Sequence, residues 1–222
     1  AQYAIDQFVL RGGKLIAFLD PLAYFDQQNN QFAQFGGGGG HSSLDKLLKA
    51  WGVEMESGKV AADRILAARN PQGGSMPAVL LMNQKAFNTN DIVTSELNSL
   101  VLPFPGTFSG TPVSGLKETV LLNTTPDSQL VDGLMASMSG DQINKEFKAS
   151  GKEYPIAIRL TGKFKTAFPN GEPKGKPDEK KADAKANNSL KESAADNTVV
   201  LVADSDMLQD QVSVQVQNFL GQ

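Results

Sequence analysis

The sequence predicts an α/β domain with a mostly parallel sheet and helices on both faces. Apolar stripes of helical period alternate along the chain with short apolar runs of strand length. Two of those runs, residues 14–19 (KLIAFL) and 198–203 (TVVLVA), are near-continuously apolar, as strands buried on both faces are. Gly, Pro and Asn punctuate the boundaries between segments. The expected order is α-β-α-β-β-α-β-β-α-β-β-α.

The first helix is expected from Ala4, Ile5, Phe8 and Val9, which share one helical face, with Leu10 beside them. Gly12 and Gly13 end it, because glycine takes the left-handed conformation freely. The KLIAFL strand follows and stops at Asp20-Pro21. Residues 24–43 (YFDQQNNQFAQFGGGGGHSS) lose all periodicity and read as a flexible Gln/Asn/Gly-rich loop. Ser43 then caps a helix with Leu44, Leu47, Leu48 and Trp51 on one side and Gly52 as its stop.

Residues 64–68 (RILAA) and 78–82 (AVLLM) read as strands joined by a turn at 70–77, with Asn83 closing the second. A short helix is expected over 91–97, then strands at 100–104 (LVLPF) and 119–123 (TVLLN). Ser139 or Asp141 is placed to cap a helix running to about residue 149. A strand at 156–160 (IAIRL) follows. Residues 169–197 hold almost no large apolar side chain, so nothing there offsets the entropy of ordering, and a disordered charged insertion is expected. After the TVVLVA strand and Asp204-Ser205-Asp206, the chain finishes with a helical stripe of Val212, Val216, Phe219 and Leu220. Residues 1–168 and 198–222 are thus expected to form a single α/β domain.

Composition narrows the chemistry. A 40% hydrophobic, 20% charged chain of 222 residues can bury a substantial core. Its net charge of −3 supplies no basic field for nucleic acid, so no nucleic-acid partner is expected. Without cysteine there is no disulfide, thiol nucleophile or thiolate metal site. The single histidine, His41, follows five glycines, where a rigid catalytic base is hard to hold.

Gly-rich 36–43 lacks the GK[ST] ending of a phosphate loop, and 109–115 (SGTPVSG) sits in a loop rather than on a strand-to-helix elbow. No catalytic residue, metal site or cofactor is therefore assigned. In an open α/β sheet, ligands gather at the carboxyl ends of the strands. That rule nominates Asp20, Asn83, Asn123 or Thr124, and Asp204 with Asp206 as ligand-binding residues. Their oxygens suit a hydrogen-bonded sugar or polymer, or a hard cation serving a metal-assisted hydrolase. The same residues also cap turns and helices wherever strands end.

Four segments carry a family resemblance: YAIDQFVLRGGKLIAFLDP at 3–21, LDKLLKAWGVEM at 44–55, Val60 to Asp63, and VVLVADSDML at 199–208. They resemble the periplasmic auxiliary component of an uncharacterised ABC-type transport system, the family related to gliding-motility proteins. The resemblance implies a class I glutamine amidotransferase-like or flavodoxin-like fold. It also implies a parent protein anchored at the periplasmic face of the bacterial inner membrane, with ABC-2 type permease and ATPase subunits as partners. Membrane contact is then expected only through segments outside these 222 residues, with a further strand and helix upstream of the first helix. The enzymes of that fold use a Cys nucleophile with a His partner, and this chain has no Cys. A non-catalytic role, by protein contact or ligand recognition, is the resulting expectation.

Overall fold

The computed structural model describes residues 1–25, 40–138, 140–173 and 189–214. Helix α1 (Gln2–Leu10) forms as expected and ends before Gly12, whose φ is +91°. Its buried face differs from the apolar stripe. Asp6, Gln7, Val9 and Leu10 are buried, while Ala4 and Phe8 are exposed. The two polar side chains turn inward because partners await them. Asp6 accepts hydrogen bonds from the Thr166 hydroxyl (2.7 Å) and the Ala167 N–H (2.8 Å). Gln7 exchanges two with the Leu190 backbone, at 3.1 and 2.8 Å. The end of the helix is held by Asn197, whose amide donates to the carbonyls of Val9 (2.7 Å) and Gly13 (2.9 Å).

Strand β1 (Leu15–Phe18) enters a four-stranded sheet of order β1-β11-β10-β8, with β8 at Leu116–Asn123, β10 at Pro155–Gly162 and β11 at Asn197–Val202. Three smaller antiparallel sheets surround it. One pairs β2 (Val53–Met55) with β7 (Phe108–Gly110), and another pairs β3 (Lys59–Asp63) with β9 (Ser128–Asp132). The third has order β4-β5-β6, with β4 at Ala67–Arg69, β5 at Ser75–Met82 and β6 at Leu100–Pro103. Helix α2 (Asp45–Trp51) follows the loop, and α3 (Gly133–Met138), α4 (Gly140–Glu146) and α5 (Asp210–Ser213) are short.

The mostly parallel, amidotransferase- or flavodoxin-like sheet is therefore not what forms. Among the described strands β1–β11 is the one parallel pair, and every other pairing is antiparallel. Strand outweighs helix, 34% against 21%, which leaves too little helix for a crossover at each strand. The apolar runs misled because they report burial on two faces, not pairing direction. Val199, Leu201, Ile158 and Leu160 pack with α1, α2 and the β2–β7 ribbon. On the opposite face Val200, Val202 and Ala157 pack against Ala61 of β3, Leu80 and Met82 of β5 and Leu102 of β6. Small sheets cover the second face where helices were expected.

Other expectations change for local reasons. Residues 91–97 form turns rather than a helix, fixed by Asp91, which pairs bidentately with Arg159 at 3.0 and 2.6 Å. The expected strand at 64–68 begins as a bend, because Asp63 accepts the N–H groups of Ile65 (2.8 Å) and Leu66 (2.9 Å) and turns the chain. The helix expected to about residue 149 stops at Glu146, and Ser139 lies outside the described residues.

Of the 24–43 loop, residues 26–39 lie outside the described residues, as do 174–188 of the 169–197 insertion and Val216, Phe219 and Leu220 of the final stripe. The described ends of both insertions are tied down. Ala23 donates to the Gly40 carbonyl (2.8 Å), and Ser193 Oγ accepts from the Phe164 N–H (3.0 Å).

Helix α2 ends in Gly52, at φ +79°, where a Cβ would stand 2.3 Å from the Thr111 carbonyl oxygen and 2.8 Å from the Val113 nitrogen. Gly52→Ala is expected to lower stability by at least the roughly 1–2 kcal/mol of a left-handed alanine, measured as the urea midpoint shift. An unchanged midpoint would show that the 111–113 backbone yields.

Candidate functional site

The parallel pairing of β1 and β11 brings their carboxyl ends together, and three of the five nominated residues with them. Asp20, one residue beyond Leu19, is 1% exposed, Asp204 0% and Asp206 1%. The Asp20 carboxylate accepts from the Leu22 N–H (2.9 Å) and from both the N–H (3.1 Å) and hydroxyl (2.8 Å) of Ser205. Asp204 Oδ1 accepts from the Met207 N–H (2.9 Å), and Asp206 Oδ2 from the Tyr24 N–H (2.7 Å). The carboxylate at the end of one strand thus fills the amide turn at the end of the other.

The knot is electrostatically unbalanced. Burial pushes the Asp204 carboxyl well above the ordinary carboxylate range, and the charges of Asp20 and Asp206 push it further. Burial also raises Asp20, against the opposing hydrogen bonds from Leu22 and Ser205. Asp204 Oδ2 is buried without a hydrogen-bond partner. Among the described residues no group of three His, Cys, Asp or Glu side chains is arranged to hold a metal ion.

The other two nominated residues serve local structure. Asn83 accepts from the Lys85 N–H (3.0 Å) in the turn after β5. Thr124, 1% exposed, bonds the Ser128 hydroxyl (2.9 Å) and accepts from the Tyr154 N–H (2.8 Å), tying β8 to the start of β10. Their hydrogen-bond partners are Lys85, Ser128 and Tyr154, away from the aspartates' own. His41 is exposed, next to Ser42, which pairs with Asp20 through two backbone hydrogen bonds of 3.0 and 2.9 Å.

Above the knot opens a cavity of about 670 Å³ that strand-end reasoning missed. Tyr24, Phe25 and Phe104 wall it, with Met76, Met138 and Val212 around them, and Asp141 is the single charged residue among the described residues of its lining. Tyr24 and Phe104 pack at 5.0 Å between ring centroids, and Tyr24 meets Phe25 edge-on at 5.5 Å. Phe104 lies at φ +54°, between Pro103 and Pro105, with its N–H donated to the Ala78 carbonyl (2.9 Å). A bulky residue in the left-handed region is strained, and here the strain places a ring in a cavity wall. The P-F-P string was the signal available in the sequence: a residue before proline avoids the helical region, and proline on both sides marks an enforced bend.

The family model described as ABC-type uncharacterized transport system, its auxiliary component, matches residues 1–222, and the chain belongs to that family. No curated protein and no solved structure matches the chain. No helix among the described residues is long and apolar enough to cross a membrane.

The Asp204 shift fixes a pH signature. Below the carboxyl's unfolded value both states hold the proton and nothing is lost. As pH rises past it, the unfolded chain releases the proton while the fold retains it, so stability declines until the folded carboxyl also ionises. Asp204→Asn keeps the acceptor for Met207 and removes the proton. It is expected to raise the denaturation midpoint at pH 7, by about 1–3 kcal/mol if the unpaired buried oxygen is relieved. It should also flatten the decline between pH 4 and 7. A variant less stable than the parent at pH 7 would mean that Asp204 is ionised in the fold.

Proposed function

We propose that this chain is a non-catalytic, extracytoplasmic domain of an ABC-transport auxiliary protein of the gliding-motility type, on the periplasmic face of the inner membrane. It acts by contact with the transporter's ABC-2 type permease, and through it with the ATPase. The cavity walled by Tyr24, Phe25 and Phe104 is the observation that carries the proposal. A preformed apolar cavity of this size with few polar groups is the usual form of a recognition site. Apolar surface continues beyond it onto α3, where Leu134 is 58%, Met135 48% and Met138 78% exposed. Methionine adapts to irregular partners, which suits a surface that must accept a polypeptide.

A second function has its own support. The three rings and the neutral polar groups of Asn70, Ser137 and Gln211 in the lining fit a neutral sugar or polymer stacked on an aromatic face. It takes the place of a sugar site at the strand ends, where the aspartates are at most 1% exposed.

The two are separated by photo-crosslinking in membranes carrying the full-length protein, with the crosslinker at Met138 or, as a control, at Ile92, which is 88% exposed and outside the cavity lining. Contact with the transporter predicts a permease adduct from Met138 and none from Ile92. Adducts from neither position, together with a thermal shift on adding neutral oligosaccharides, would replace permease contact with sugar recognition. Ligand at a hundredfold excess over its Kd stabilises by about 2.7 kcal/mol, a readable shift.

A further inference from the structure

We infer that the cavity walled by Tyr24, Phe25 and Phe104 is a seat for the chain's own segment 215–222, which lies outside the described residues. Val212 stands in the cavity lining, and the chain continues from there. Helix α5 stops at Ser213, and Val214 has the extended backbone of a strand, φ −106° and ψ 117°. Val212, Val214 and Val216 recur at every second position, and Phe219 and Leu220 follow them. That spacing gives an extended segment one apolar side. Val214 is 54% exposed, so the described part of that side is not covered.

Reach, charge and surface all match the segment to the cavity. Eight residues extend to about 26 Å, while a cube of the cavity's volume of about 670 Å³ has an edge of about 9 Å. Residues 211–222 contain no charged side chain, so seating them buries no ion. Asp141 in the lining and Asp210 at the start of α5 are both exposed to water. Val79, Val101 and Pro103 offer apolar surface from β5 and β6 to the valines, and the rings of Tyr24 and Phe104 offer it to Phe219. Attachment favours this occupant over a free one. A segment that starts three residues beyond the lining is held at an effective concentration of about millimolar. It therefore fills the cavity until a partner displaces it. The consequence for the transporter rests on the cavity being the permease contact, but the seating does not.

The test places a photo-crosslinking phenylalanine analogue at position 219 of the full-length protein. Position 8 is the control, because Phe8 is 51% exposed on α1 and outside the lining. Position 219 is expected to give intramolecular adducts with peptides carrying Met76, Phe104 or Met138, at a yield unchanged by tenfold dilution. Position 8 should give none of these. Should the analogue at 219 prevent folding, a crosslinker at Met138 must capture the 215–222 peptide in protein free of transporter subunits. Adducts from 219 confined to peptides outside the cavity would overturn the seating, and so would the absence of any adduct. A yield that falls on dilution would also overturn it, because a second copy would then supply the segment. In membranes, Phe219→Asp with Leu220→Asp should raise the permease adduct from Met138 at least threefold. An unchanged yield would overturn the competition with the permease and leave the seating intact. A missing permease adduct in every variant would remove the permease reading and likewise leave the seating to its own crosslinks.

Discussion

The structure depends on the meeting of two strand ends. Leu15 to Phe18 pair in parallel with Val199 to Val202, so that both chains leave the sheet on the same side. Asp20 and the Asp204-Ser205-Asp206 turn then have to share one place. Parallel strands give no hairpin to connect them, and 184 residues separate the paired positions along the chain, so side-chain contacts must fix how the ends meet. The carboxylate of Asp20 does so by binding the backbone and hydroxyl of Ser205. A charged group at 1% exposure is tolerable only because several donors converge on it. Asp204 lacks that convergence, and the difference between two neighbouring carboxyl groups is the origin of the tension in the knot.

A similar economy operates at the opposite end of the same two strands. Asn197 precedes the β11 run and Gly13 precedes β1, and the Asn197 amide donates to carbonyls of the α1 terminus while its oxygen accepts from the Lys14 ammonium at 2.7 Å. Helix ends leave carbonyl groups without partners, and a buried end must have them supplied. One asparagine thereby fixes the helix end and its link to the parallel pair. With Asp6 bonding the Thr166 hydroxyl and the Ala167 N–H, and Gln7 the Leu190 backbone, α1 is located by polar contacts as much as by its apolar side. The AIDQF string is explained by this: its two polar residues are structural, and their side chains point into the protein.

How much of this was legible in the sequence can be stated residue by residue. Helices at 2–10 and 45–51, and strands at 15–18, 75–82, 100–103, 116–123, 155–162 and 197–202, correspond to periodic or continuous apolar patterns ended by glycine, proline or asparagine. Pairing direction was not legible, because an apolar run records how many faces are covered and not what covers them. Strands β2, β3, β7 and β9 were missed since three to five residues of mixed polarity carry no period to detect. For the site, proximity of Asp20 to Asp204 and Asp206 followed from the strand-end rule even though the sheet it assumed did not form. One parallel pair was enough to satisfy the rule. The cavity was not legible because its wall comes from five separate places in the chain, and no local pattern encodes their convergence.

Placing the knot behind the cavity has a chemical consequence for what the cavity accepts. Among the described residues its lining carries one charge, the carboxylate of Asp141, and the charges behind its wall are also negative. An anionic ligand therefore meets no cation among the lining residues and loses its hydration without return. An apolar group keeps the benefit of burial against Phe104 and Met138, and a flanking cation gains from Asp141. Selectivity of this kind works by rejecting one sign of charge, and it asks no directional hydrogen bond of the partner. The strain stored at Phe104 keeps that wall in place before any ligand arrives.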